Sequence, residues 1–104
     1  MEKQGFIKLS HNFVKWRWFK DVETTQVFVF LLLAANPKPE MWRGNVIQKG
    51  QLVTTLETIM NFTGLSTKEV RTALSHLKNT GYIKTDKLLG RTVITVCDFD
   101  QYCD

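Results

Sequence analysis

Apolar positions recur along this chain at changing intervals, and each interval predicts a different element. Residues 5–9 (GFIKL) alternate apolar and polar, the period of a half-buried strand. Ser10 then stands as an N-cap ahead of Phe13, Val14 and Trp16, with Phe13 and Trp16 three residues apart on one face of a short helix. Trp18 and Phe19 extend this aromatic group, whose rings are expected in the core, with base stacking by exposed rings as the functional alternative. The next segment, TQVFVFLLLAAN, is apolar nearly all round. Its β-branched and aromatic content would also suit a buried strand. Its length, its two alanines, Asp21 as N-cap and Glu23 in the first turn favour a helix, ended by Asn36 and Pro37. Such a helix has to be covered on most sides, as a central element or partly in a dimer interface.

Residues 37–43 are expected to form a loop. Residues 45–47 and 51–54 are β-like and joined by Gln48, Lys49 and Gly50, with Gly50 able to supply the positive φ of a tight turn. Thr54 or Thr55 caps a helix that turns Leu56, Ile59 and Met60 inward, and Thr63, Gly64 and Leu65 form the following turn. The best-specified element starts at Ser66, which with Glu69 makes an S-x-x-E capping box. Val70, Ala73, Leu74 and Leu77 recur at three- and four-residue spacing and define its buried face, and Asn79, Thr80 and Gly81 stop it. Residues 82–85 and 92–96 are strands around a basic loop, residues 86–91, and Phe99 and Tyr102 fold back on the core.

Helix, turn, helix, hairpin is the order of a winged helix-turn-helix, in which the second helix enters a DNA major groove and the hairpin touches the backbone beside it. The predicted fold is α+β and mostly helical, with a strand and helix extension before the helix-turn-helix and a β-hairpin wing after it. The 104 residues make one domain, 1–104, with an N-terminal extension over 1–20, the helix-turn-helix over 54–80 and the wing over 82–96.

Composition changes this picture mainly through where the charge sits. A net charge of +4 is weak evidence for a polyanion partner by itself. Between Ser66 and Arg91, however, six cations (Lys68, Arg71, Lys78, Lys84, Lys87, Arg91) face two acids (Glu69, Asp86). A second basic group, Lys3, Lys8, Lys15, Arg17 and Lys20, crowds the start of the chain, while Asp98, Asp100 and Asp104 make its end acidic. Cys97 and Cys103 have neither a CxxC nor a metal-ligand spacing and are expected as free thiols. The longest apolar run, residues 27–35, is about half of what spans a bilayer, and no signal peptide is visible, so a soluble, cytoplasmic protein is expected.

DNA reading needs long donors that reach base edges and short polar groups that let a helix come close. The face of the Ser66 helix opposite its apolar stripe offers Thr67, Lys68, Arg71, Thr72, Ser75 and Lys78, and the hairpin adds Lys84, Lys87 and Arg91 for phosphates. An ordinary solvated helix face and a charge-protected hairpin edge are the plainer reading of the same residues. His11 and His76 stand alone, and His76, beside the buried positions, is expected to be structural. No P-loop, dinucleotide fingerprint or GxSxG context occurs, so no enzyme activity, cofactor or metal is expected.

The strings GFIKL, WRWFKD, LLLAAN, WRGNVIQKGQLVTTLE, TGLSTKEVRTALSHLKNTGYI and TVITVCDFDQY together resemble the N-terminal winged-helix domain of phage replisome-organiser and replication-initiation proteins, similar to the N-terminal domain of the primosome protein DnaD. The resemblance runs from Gly5 to Tyr102. Its most specific pieces are Trp42, Gly44, Gly50, Gln51, Leu52, Val53 and Thr54, and the run over residues 63–81. It implies a role in starting phage or prophage DNA replication, with double-stranded DNA, including an origin, as partner. It also implies helicase-loading proteins or a second copy of the chain as further partners. Family members are often longer, with a separate C-terminal region. The rival expectations are a protein-interaction or oligomerisation module of a primosome and a transcriptional repressor of the same fold.

Overall fold

Each helix begins where a side chain satisfies the free N–H groups of its first turn. In the computed structural model, which describes residues 5–103, Asp21 accepts from Thr24 N ahead of α1 (Val22–Ala34). The strands β1 (Glu40–Trp42), β2 (Asn45–Ile47) and β3 (Gln51–Thr54) come next. Thr55 caps α2 (Leu56–Thr63), and Gly64, at φ 75°, ends it in the left-handed conformation. Ser66 and Glu69 close the capping box on α3 (Thr67–Asn79) as expected. β4 (Ile83–Leu88) and β5 (Arg91–Val96) form a C-terminal hairpin. Lys3 of the N-terminal basic group and Asp104 of the acidic end lie outside the described residues.

Among the described residues the result is an α+β domain of three α-helices and two small antiparallel sheets. One sheet has the order β3-β5-β4, and the other is the β1–β2 hairpin. α1 packs chiefly on α3, and α2 packs on both. Their shared core is Val27, Phe28, Leu31 and Leu32 of α1, Ile59 of α2, Val70, Ala73 and Leu77 of α3, and Leu52, Ile83, Ile94 and Val96 of the sheet. The apolar α1 is thus largely covered inside one molecule. A radius of gyration of 13.3 Å fits a single domain, for which about 13 Å is usual at this length.

Of the aromatic residues near the start of the chain, Phe13, Trp16 and Trp18 pack partly buried against this core, whereas Phe6 and Phe19 are exposed, against the expectation for Phe19. Residues 11–15 make a 3₁₀ turn capped by Ser10, which brings Phe13 and Trp16 into a stack at 5.0 Å. Trp16 also meets Phe28 at 4.8 Å and Tyr82 edge-on at 5.3 Å. Trp18 lies flat on His76 at 4.3 Å and donates to Thr80 Oγ1, while His76 Nδ1 lies 2.9 Å from Thr24 Oγ1. His76 is therefore a tie between α1, α3 and the N-terminal segment. Phe99 is buried, and Tyr102 meets Phe28 edge-on at 5.7 Å.

Four expectations need correction. Residues 5–9 form no strand; Ile7 makes a single bridge to Cys103, with Lys8 N donating to Tyr102 O, because residues 99–102 facing them coil into a 3₁₀ turn instead of offering an extended edge. Residues 40–42 are a strand rather than loop, since the Arg43–Gly44 turn, with φ 47° and 79°, folds β1 back on β2. β2 does not pair with β3 as a hairpin; β3 is claimed instead by β5. The basic loop over residues 86–91 shrinks to Leu89–Gly90, so Lys87 and Arg91 sit within paired strands.

Candidate nucleic-acid interface

All nine residues singled out for DNA contact are exposed, and among the described residues no carboxylate pairs with Lys68, Arg71, Lys78, Lys84, Lys87 or Arg91. These cations are thus free to take anionic partners. The helical period decides which of them act together. Arg71, Ser75 and Lys78 line an open groove of about 530 Å³ between α3 and the β4–β5 hairpin. Lys87 completes it from the hairpin, together with Thr85, Asp86 and Thr92. Lys87 Nζ donates to Thr92 Oγ1 across the strands at 3.0 Å, which fixes its ammonium on this face. Leu56 and Leu74, expected to face inward, and Asn79, expected only as a helix stop, also line the groove. Lys68 stands three residues before Arg71 on the same side of α3 and extends the basic stripe beyond the groove.

The other expected contacts are dispersed. Thr67 donates its hydroxyl to Met60 Sδ at 3.3 Å and so faces α2. Thr72 lies in a separate cleft with Lys20, Asp21, Glu23 and Glu69, a carboxylate-rich setting that disfavours a phosphate. Strand alternation separates the hairpin cations. Lys87 is paired with Thr92 on the face turned to α3, whereas Lys84 (paired with Thr95) and Arg91 (paired with Leu88) project from the opposite face. Of the nine, Arg71, Ser75, Lys78 and Lys87 thus come together as a compact set, with Lys68 alongside, and the other four lie apart from it.

No protein-family model, curated protein or solved structure matches this chain.

What the site can do follows from its own chemistry. A guanidinium and two ammonium groups around polar hydroxyls can hold phosphate oxygens or reach acceptor edges of bases. Asp86 is the one carboxylate among the lining residues and leaves the groove net positive. Among the described residues no three His, Cys, Asp or Glu side chains come together as for a metal, and no helix is long and apolar enough to cross a membrane. Cys97 and Cys103 are free thiols. The sequence reading missed a second concavity, lined by Trp42, Arg43, the start of α2 and Arg91. Its one advance signal was the Trp-Arg-Gly run, in which a Gly follows an arginine beside an aromatic ring.

Proposed function

We propose that this chain is a winged-helix DNA-binding domain that acts in starting phage or prophage DNA replication. α3 is the helix that enters the major groove, and β4–β5 is the wing. The observation that carries the DNA reading is the open groove in which Arg71, Ser75 and Lys78 of α3 meet Lys87 of the hairpin with no ion pair among the described residues to neutralise the three cations. The order of α2, turn, α3 and hairpin supports the same reading. The replication role rests on the resemblance of the sequence to replisome organisers, and helicase-loading proteins are proposed partners on that ground alone.

Selection of bound sequences from random duplex DNA, carried out at two salt concentrations, is the direct test. Replacing Arg71 with Ala is expected to weaken a selected site by about 1–3 kcal/mol and to relax its sequence preference. Replacing Lys87 with Ala should weaken all duplexes alike and lower the log–log salt slope by about 0.9. If neither change alters binding, the reader assigned to α3 does not exist.

A second reading, a self-associating or partner-binding module, is favoured by one feature. Val22, Leu33 and Phe62 are 69%, 58% and 73% exposed, and Phe62 stacks on Phe30 at 5.2 Å, so α1 and α2 leave apolar side chains outside the core. Light scattering separates the two readings: a dimer that binds DNA weakly and without a preferred site would favour the module.

A further inference from the structure

The outer face of the β4–β5 hairpin carries a cation that the α3 groove does not use. Alternation along β5 turns Arg91 into a second open cleft of about 410 Å³, lined also by Trp42 and Arg43 of the β1–β2 hairpin and by Thr55, Glu57 and Thr58 at the start of α2. The Arg43 guanidinium carbon lies 4.9 Å from the centre of the Trp42 ring. Stacking of this kind restrains the planar fork while its N–H edges stay available, which suits bidentate contact with a phosphate. Both arginines are exposed, and neither belongs to an ion pair among the described residues. Against these two charges stands one lining carboxylate, Glu57, so the cleft is net positive.

The two concavities are immediate neighbours. On α2, Leu56 lines the α3 groove while Thr55 and Glu57 on either side of it line the cleft. On β5, Thr92 lines the groove and Arg91, the preceding residue, lines the cleft. The two thus open on opposite faces of the β4–β5 hairpin and meet where β5 begins beside the start of α2, so a polyanion wrapping from the α3 groove round that corner would meet Arg91 and Arg43 next.

We propose that Arg43, held on Trp42, and Arg91 form a clamp for the phosphodiester backbone of the same nucleic acid that occupies the α3 groove, an inference that rests on the DNA-binding reading above. The clamp makes the β1–β2 hairpin a second arm on the duplex, with Arg43 at its turn. It adds affinity without reading bases, because guanidinium groups on phosphates carry no sequence information directly.

The experiment is a salt series of fluorescence-anisotropy titrations of the whole chain on random-sequence duplex DNA, with circular-dichroism melting curves to show that each variant stays folded. Arg43→Gln and Arg91→Gln should each lower the log–log slope by about 0.9, and the double variant by about twice that. Arg43→Lys, which keeps the charge, should retain the slope. Sequence preference in the selection assay should stay as in the wild type for all of them. If the wild type binds and Arg71→Ala weakens it, yet Arg43→Gln keeps the wild-type slope, the clamp is overturned and the α3 reading stands. If the wild type binds no duplex at all, both fall together.

Discussion

Gly50 shows how one missing side chain lets the sheet close. It holds φ 82°, its N–H donates to Asn36 O, and its carbonyl accepts from Val96 N. A Cβ placed there would stand 2.8 Å from Phe99 Cβ, a contact with no flexible end to move aside. Gly81 has nearly the same φ, 84°, with nothing within 4 Å of the corresponding position. Gly50→Ala should therefore destabilise the domain by left-handed strain of about 1–2 kcal/mol plus a steric term, and Gly81→Ala by the strain alone. Urea unfolding of the two variants side by side measures the difference. Tyr102 makes a second prediction at this scale. Burial, aided by the nearby Tyr82 phenol, raises its pKa above the ordinary 10.0. The fold thus favours the protonated phenol. The associated stability is present in full below pH 10 and is lost as the pH rises through the raised value. Absorbance titration should show one phenol ionising late, Tyr102→Phe should remove that late transition, and the variant's melting temperature should fall less steeply in strong alkali than the wild type's.

Among the elements, α3 is the one whose limits can be checked most simply. Its capping box satisfies Ser66 N and Glu69 N reciprocally at 2.9 and 3.2 Å, so Ser66→Ala should cost about 1 kcal/mol and lower the melting temperature without altering the core. The same local chemistry made α3 legible in the sequence, as it did α1 through Asp21 and α2 through Thr55. Elements whose partners are distant in sequence were harder to read. β3 carries the same apolar alternation whether it pairs with β2 or with β5, and only the folded chain chooses β5. β1 is three residues long and follows a proline-rich stretch, and its turn starts with an arginine where Asn, Asp or Gly would have signalled a hairpin. The site divides the same way. Arg71, Ser75 and Lys78 share a helical stripe that spacing reveals. Lys84, Lys87 and Arg91 looked equivalent as cations flanking a hairpin tip, and became separated once pairing to Leu88 extended the strands and fixed which face each side chain takes.

Taken as a whole, the molecule presents three surfaces of different character: the α3 groove, the Arg43–Arg91 cleft beside it, and the apolar side chains Val22, Leu33 and Phe62. The first two share α2 and β5 as common walls. The bridge between Ile7 and Cys103, with Lys8 N donating to Tyr102 O at 2.7 Å, fastens the beginning and end of the described chain to each other. Ile7 and Cys103 line a small hollow with Leu32, Leu33 and Phe99 that has no residue in common with either basic concavity. The first and last described residues accordingly share one corner. Loosening that corner, by removing the Ile7 side chain for instance, would unfasten the described ends from each other while touching no residue of the cationic walls.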